Sequence, residues 1–441
     1  MPSTVTNTRP LLSTLVADLD RKLQQDSSVF DVLTAVDAAR GPLLELVGSK
    51  ALVLKILNLL VAKYHLQARS EYLYSRPFGL VVDPANGCNL ACPGCVHSEH
   101  SKSLQLFDWQ KGMLCMDRFQ PLLRQYGAYA VQIMFCNYGE PTANLRTPEF
   151  IKLAKAYLIQ TVLSTNLTVG RFDAEAYVAS GLDFMYLSID GATQPVYEQF
   201  RRMGRIEVAF ENIRKLVAAK KRLGKRTPIL RWQFLAFEHN EHEIPMALEK
   251  ARELGVDQFV VETPFDVSWD TAGVRVSKFP PVRYELIRDP ESALRENFAA
   301  DVEEDEVDRL FSRGWAVGAR AGVEESRADR KPAHTCNWLY KNIVMDANGR
   351  ILPCCGAPRP DLHLVFANFP EDADVFNSRD YQRVRRYFAD GQVSTSAEAG
   401  RVPHCEKCEW DHSHTEVGRD QIALYLKAAG LPGVIPVLAD W

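Results

Sequence analysis

The run CNLACPGC at residues 88–95, entered from the apolar stretch FGLVVD at 78–83, decides how the rest of this chain is read. Cys88, Cys92 and Cys95 stand with three and then two residues between them. Thiolates are the usual ligands of 4Fe-4S clusters, which take four. A loop that supplies three leaves one iron open to a small molecule, as a catalytic zinc site keeps one position for substrate. On spacing alone the run also fits a zinc knuckle or a ferredoxin fragment.

Outward from this loop, short apolar runs alternate with amphipathic stretches. FGLVVD, AVQIMF (130–135), QTVLST (160–165), DFMYLSI (183–189), ILRWQFLAF (229–237) and DQFVVE (257–262) read as buried strands. PEFIKLAKAY, VAFENIRKLVAAKKRL and EIPMALEKARELG read as helices between them. Repeated strand and helix imply a parallel sheet covered by helices. The expected fold class is α/β: a partial (β/α)6 barrel over 76–266, an N-terminal helical extension over 1–75, and a small C-terminal cysteine-rich iron-sulfur domain over 333–412. Helical spacing within 11–67 predicts three helices, either a cap on the barrel or a substrate-recruiting module. The polar and acidic stretch 267–332 reads as an insertion or linker. Residues 413–441 read as a C-terminal helix and tail.

With 441 residues, 46% of them hydrophobic and 24% charged, the chain can bury a full core. A net charge of −4 argues against an obligate nucleic-acid partner. The start, MPSTVTNTRPLLSTLVADLD, lacks a basic region followed by an apolar core, so no secretory signal is expected. The most apolar stretch, ALVLKILNLLVAKY at 51–64, reads as too short for a membrane span and is interrupted by Lys55. A cytoplasmic protein with no membrane partner is expected. Ten cysteines in that setting point to metal or catalysis before disulfides.

The three-cysteine run, together with NYGEP at 137–141 and polar residues at later strand ends, resembles the signature of the radical S-adenosylmethionine (radical SAM) superfamily. The resemblance implies a 4Fe-4S cluster on Cys88, Cys92 and Cys95, with S-adenosylmethionine chelated at the open iron. Its reductive cleavage then gives a 5′-deoxyadenosyl radical that abstracts hydrogen from substrate. Asn137, Gly139, Glu140 and Pro141 are similar to the family's GGEP motif, whose backbone and glutamate hold the amino group of S-adenosylmethionine; here the first glycine is missing. Glu140 suits that task because a carboxylate meets an ammonium well. Ser164 and Asn166, then Ser188 and Asp190, sit at the next two strand ends, where the family contacts ribose hydroxyls or the methionine carboxylate. Arg201 matches an arginine that pairs with that carboxylate, and Gln233 a strand position near the cofactor. Each strand-end group can equally be a helix cap. Gly94 departs from the larger residue that many relatives carry there.

The tail carries a second signal. Cys336, Cys354, Cys405 and Cys408, with a tight turn at Asn348-Gly349 in DANGRILPCC, resemble the SPASM or twitch extension that binds auxiliary clusters. The hairpin aims Cys354 back towards Cys336. The full pattern continues with cysteines where this chain has His414 and Gly418. One auxiliary 4Fe-4S cluster with four cysteine ligands is therefore implied, and structural zinc remains the rival for the same four thiols.

The resemblance implies an enzyme, a radical SAM oxidoreductase in biosynthesis, reduced by a flavodoxin- or ferredoxin-type electron donor. Its expected substrate is a small polar molecule, a sugar, aminocyclitol or nucleoside, because residues 1–75 lack the winged-helix pattern of peptide modifiers. Dehydrogenation with the auxiliary cluster as electron acceptor is the leading reaction. Redox-neutral epimerisation or rearrangement, maturation of a ribosomal peptide, and a non-catalytic iron-sulfur or zinc scaffold stay open. Cys136 and Tyr138 at the second strand end, with Glu262 and Asp266 after the sixth, are the candidate substrate-facing catalytic residues.

Overall fold

The structure, a computed structural model, describes residues 8–25, 28–98, 111–264, 273–299, 302–315, 336–355, 362–363, 365–390, 402–403, 405, 408 and 419–440. Six strands lie side by side in chain order and run parallel: β1 (Gly79–Val82), β2 (Gln132–Phe135), β3 (Gln160–Thr165), β4 (Phe184–Ser188), β5 (Ile229–Leu235) and β6 (Gln258–Glu262). Helices that include Met116–Tyr126, Thr147–Lys155, Ala174–Ala179, Ile206–Leu223 and Ile244–Leu254 connect them. This is the expected α/β arrangement. Ile133, Phe135, Leu163, Met185, Leu187, Trp232 and Phe234 enter the main core with the helices. Val81, Met134, Val162 and Tyr186, one residue out of phase, fall into separate clusters on the other face. Strands buried on both faces read as continuous apolar runs for this reason.

The cysteine-rich tail is not a separate body. Past β7 (Val282–Glu285), which adds antiparallel to β6, strand β8 (Asn342–Met345) pairs in parallel with β1, placing Val82 opposite Met345. Strand β9 (Arg350–Leu352) folds back on β8 through the Asn348-Gly349 turn, where the Asp346 carboxylate accepts the N–H groups of Asn348 and Arg350 at 2.9 Å each. One ten-stranded sheet therefore carries both cysteine-bearing regions.

The N-terminal region forms α1 (Thr8–Gln24), α2 (Val29–Val47) and α3 (Lys50–Ala68), the three helices expected. The Asn58 amide donates to the Arg76 carbonyl at 2.9 Å and accepts the Arg76 N–H at 2.8 Å. Lys55, its pKa lowered by burial, donates to the carbonyls of Gly127 and Ala130. Those residues lead into β1 and β2, so α3 caps the end opposite the cysteine loop. At 19 residues α3 is longer than the 51–64 stretch, and it is long and apolar enough to cross a membrane by length and composition. Yet 94% of its most apolar 18-residue window is buried inside the protein, which explains an apolar helix with a satisfied internal lysine.

The acidic stretch read as an insertion is partly built into the fold. Besides β7, the helix Glu304–Arg313 lays Val307 and Leu310 into the main core and contacts α3. The Trp315 N–H donates to Asp37, and its ring meets Tyr129 edge-on at 5.6 Å. At the other end of the chain, Ala428 and Leu424 of the helix Arg419–Ala428 pack with Leu294 against Val162, Phe184, Tyr186 and Ile229. The inner face of the barrel is thus filled from below, and the C-terminal ends of the strands carry the remaining polar groups.

Candidate cluster and cofactor site

Asp83, directly after β1, organises the approach to the cysteine loop. Its fully buried carboxylate accepts the N–H groups of Asn137 (2.8 Å), Tyr138 (3.0 Å) and Gly139 (3.3 Å). Burial pushes its pKa up to about 7, and the three N–H groups pull the other way. Gly139 is required by close approach: a Cβ there would fall 1.7 Å from the Ala85 carbonyl oxygen. The Glu140 N–H then donates to the Gly87 carbonyl at 2.9 Å. The GEP turn is stitched to the residues that lead into Cys88. Sequence reading missed Asp83, whose one signal was an acid closing the apolar run FGLVVD.

Glu140, expected to bind an ammonium, is 3% exposed, and its carboxylate is engaged by the protein itself. Oε1 accepts the N–H and hydroxyl of Thr142 and the hydroxyl of Thr165, and Oε2 accepts the Asn166 N–H at 2.8 Å. A buried carboxylate needs donors, and the β3 tip supplies them. Pro141 opens a short 3-10 turn, Pro141–Ala143, that brings Thr142 to Glu140.

The three cysteines sit among donors. The Leu90 N–H approaches Cys88 Sγ at 3.4 Å and the Asn166 amide at 3.6 Å. Arg201 Nη1 lies 4.0 Å from Cys92 Sγ, and the N–H groups of Val96 and His97 point to the Cys95 sulfur. Burial raises the thiol pKa of Cys88 to about 12 and of Cys92 to about 11, with that of Cys95 also raised. Gly94 adopts a φ of +75°, a left-handed conformation that favours glycine and accounts for the departure noted there. Asp190, expected at the cofactor, is fully buried, and its carboxylate is taken up by Arg201 and the Leu235 N–H. It holds the arginine that faces Cys92.

Ser164, Ser188, Gln233 and Glu262 continue the inner face above Val162, Tyr186 and Arg231. The Ser164 and Ser188 hydroxyls lie 3.3 Å apart, Gln233 donates to Glu262, and the Cys136 thiol is within hydrogen-bonding reach of Ser164. Below them Arg231 donates to the Tyr186 hydroxyl at 3.0 Å and to Gln258 at 2.8 Å. Tyr138 does not join this row. It is 8% exposed and packs among Val81, Val96, Val344 and Leu352, because Asp83 turns its backbone towards the tail hairpin. Neither amide atom of the buried Asn137 side chain meets hydrogen-bond geometry, although the Tyr138 hydroxyl lies within its electrostatic reach. Asp266 lies outside the described residues.

In the tail, Cys336, Cys354 and Cys405 are each buried, and Cys405 lies within electrostatic reach of Cys354, Cys336 and Cys408. The N–H groups of Trp338 and Leu339 face the Cys336 sulfur, whose pKa burial raises to about 12. Among the described residues, no three His, Cys, Asp or Glu side chains are drawn into metal-coordinating geometry. The loop set nevertheless fits an iron-sulfur centre in donor chemistry. Its three soft sulfurs are buried or half-buried, and donor groups face them where a thiolate's charge would sit.

Residues 82–231 match the family described as the Radical SAM superfamily. No curated protein sequence matches the chain. Among solved structures, Streptococcus suis SuiB bound to S-adenosylmethionine is similar at 18% identity and a TM-score of 0.47, over 75% of this chain and 72% of that one. BtrN in complex with AdoMet and 2-DOIA is similar at 12% identity and a TM-score of 0.38, over 76% and 94%. Native anSMEcpe with bound AdoMet and the Cp18Cys peptide is similar at 14% identity and a TM-score of 0.41, over 82% and 99%. The CNLACPGC loop, the GEP turn and the polar ends of β3 and β4 all lie inside the span that matches the Radical SAM superfamily.

Proposed function

We propose that this chain is an enzyme that dehydrogenates a small polar substrate, with Cys88, Cys92 and Cys95 holding the radical cluster and Cys336, Cys354, Cys405 and Cys408 holding an auxiliary 4Fe-4S cluster. The observation that carries the two-cluster reading is the convergence of Cys354, Cys336 and Cys408 on Cys405, in a tail whose hairpin is paired to β1. When bound, the radical cluster and S-adenosylmethionine would supply hydrogen-atom abstraction, and the auxiliary cluster a place for the electron left on substrate. The chain's own residues fix the setting. Asp83 and Glu140 hold the GEP turn and the β3 tip against the cysteine loop. Arg201, fixed by Asp190, places positive charge beside Cys92. The row of Ser164, Ser188, Gln233 and Glu262 offers hydroxyl, amide and carboxylate groups to a polar substrate or to the nucleoside of the cofactor. The helical extension caps the opposite end, which favours a small substrate over a recruited peptide.

A redox-neutral reaction is the second reading, favoured by Cys136. Burial raises its pKa and keeps it an S–H group, beside Ser164 on the same row. Such a thiol can return a hydrogen atom to a substrate radical.

Iron and sulfide content of the anaerobically reconstituted protein, with a 5′-deoxyadenosine assay, separates these readings. About eight irons, falling to about four with loss of cleavage in a Cys88→Ala/Cys92→Ala/Cys95→Ala variant, is the expected result. About four irons plus one zinc in the parent would overturn the electron-accepting role and leave the Cys136 reading. Iron without S-adenosylmethionine cleavage would return the chain to a scaffold.

A further inference from the structure

One layer below Ser188 and Gln233, the inner face of the barrel carries a cation without a counter-ion. The register sets Ser164 beside Tyr186, Tyr186 beside Arg231 and Arg231 beside Gln258, so these four side chains share one level of that face. Arg231 is 9% exposed. Its Nε donates to Gln258 at 2.8 Å and its Nη1 to the Tyr186 hydroxyl at 3.0 Å, and the guanidinium carbon stands 4.7 Å from the centre of the Tyr186 ring. Neutral acceptors and a ring face hold the group in place, but no carboxylate among the described residues forms an ion pair with it. Charged side chains are almost never buried unless paired. Glu285 accepts from Gln258 at 2.8 Å and is itself paired with Arg283. Glu262, four residues beyond Gln258 and so about 13 Å further along β6, accepts from Gln233 instead. Arg231 Nη2 meets no acceptor, and it is not one of the sealed, unpartnered atoms of the protein. Beneath it the lumen is apolar and closed, with Val162, Phe184 and Ile229 packed on Leu294 and Ala428. The open side of the guanidinium therefore faces the strand ends and Ser164, whose hydroxyl is within reach of the Cys136 thiol.

We infer that Arg231 determines the specificity of the substrate site and that the substrate carries an anionic group, a carboxylate or a phosphate, which Nη2 receives. The inference rests on the small-substrate reading above and narrows it. A guanidinium already fixed by Tyr186 and Gln258 loses little freedom on meeting an oxyanion, and its fork matches the paired oxygens of a carboxylate or phosphate. Away from bulk water such a contact is stronger than at a surface. A neutral substrate would leave the buried charge unanswered, and a site built for a polar partner rejects the analogue that lacks it. With the anion seated on Arg231, the rest of the molecule extends past Ser188 and Gln233, and Glu262 at the rim meets a hydroxyl or ammonium group at its far end. A sugar acid or a phosphorylated sugar has that spread of groups.

The test measures binding of glucose, glucuronate and glucose 6-phosphate, matched in ring and different in charge. Calorimetry at constant ionic strength is run on the reconstituted full chain, in the parent, in Arg231→Gln and in Tyr186→Phe. At least one anion is expected to bind the parent about tenfold or more tightly than glucose, and the better of the two tells carboxylate from phosphate. Arg231→Gln should lose that preference. Tyr186→Phe keeps the ring under the guanidinium and frees Nη1, so it should retain the preference. Three probes that bind the parent alike, or none that binds, overturn the inference, as does a preference that survives Arg231→Gln. A preference lost equally in Tyr186→Phe also overturns it, because Arg231 would then be a brace of the lumen wall. Where the glutamine variant fails to fold, Arg231→Lys replaces it, and a preference undiminished by loss of the fork overturns the inference. Binding needs no radical step, so a parent that holds the anion but forms no 5′-deoxyadenosine overturns the radical reading alone.

Discussion

The Glu140 carboxylate accepts the Asn166 backbone N–H at 2.8 Å, and the Asn166 side chain in turn lies 3.6 Å from the Cys88 sulfur. The GEP turn therefore reaches the cluster loop through the β3 tip as well as through its own backbone. Glu140→Ala removes the acceptor for four donors in a dry site. Each stranded donor costs about 1–3 kcal/mol, so the melting temperature falls and 5′-deoxyadenosine formation drops with it. Glu140→Gln keeps one acceptor oxygen and loses less of both. Cleavage in the alanine variant at the parental rate would sink the role given to Glu140.

Asn166 sets the electrostatics of one thiolate. Its amide is a donor to Cys88 and is held in place by the side-chain Oδ1 of Asn89, which accepts from it at 3.0 Å. Donors at sulfur stabilise the more negative, reduced form of a cluster. Asn166→Ala is expected to shift the midpoint potential of the radical cluster to a more negative value, read by a redox titration followed by electron paramagnetic resonance. Iron content should stay at the parental level. A potential that moves upwards or not at all would show that the amide is a loop brace only.

Tyr138 stands where the superfamily motif has a glycine, and its ring fills the space between the cluster loop at Val96 and the tail hairpin at Val344 and Leu352. Tyr138→Gly should open a cavity there and cost about 3–5 kcal/mol, the range of large aromatic deletions in cores. Tyr138→Phe, which keeps the ring in the wall, should cost far less. Thermal melts decide this, and a glycine variant as stable as the parent would mean that the wall carries no load. Loss of iron from the tail in the glycine variant would show that the wall also fixes the auxiliary site.

The six barrel strands were legible because a parallel strand buried on both faces is a continuous apolar run, as FGLVVD and DFMYLSI are. The strand-end groups were legible for the same reason: each run ends where a polar residue begins. What spacing does not encode is which groups meet. Asp83 looked like the end of a strand and is a clamp for three N–H groups. Asp190 looked like a cofactor contact and is spent on Arg201. Tyr138 looked catalytic because it follows β2, but the turn of its backbone sends it to the wall. The pairing of β8 with β1 joins residues more than 250 apart, and the short acidic helix at Glu304–Arg313 buries only Val307 and Leu310, too thin a stripe to read.

Asp83 gives the molecule a pH dependence whose direction follows from its surroundings. The carboxyl faces the N–H groups of Asn137, Tyr138 and Gly139 on one side and, across the sheet, the carboxylate of Asp346, itself paired with Arg350; Cys136 also feels its charge. Burial raises the folded pKa to about 7 from the usual 3.8, so the folded state binds a proton that the unfolded chain has released. A carboxyl raised in this way contributes its stability in full below the unfolded value and loses it as pH rises towards and through 7. The melting temperature should therefore decline between about pH 4 and pH 7, from the unfolded value to the folded one. Asp83→Asn keeps an oxygen for the N–H groups and cannot ionise, so its curve should be flatter over that window. Glu140, Asp190 and Asp257 are also raised by burial, but they are common to both proteins, and the difference between the curves isolates Asp83. Parallel curves for parent and variant would show that the carboxylate stays ionised throughout, held by its three donors against the cost of burial.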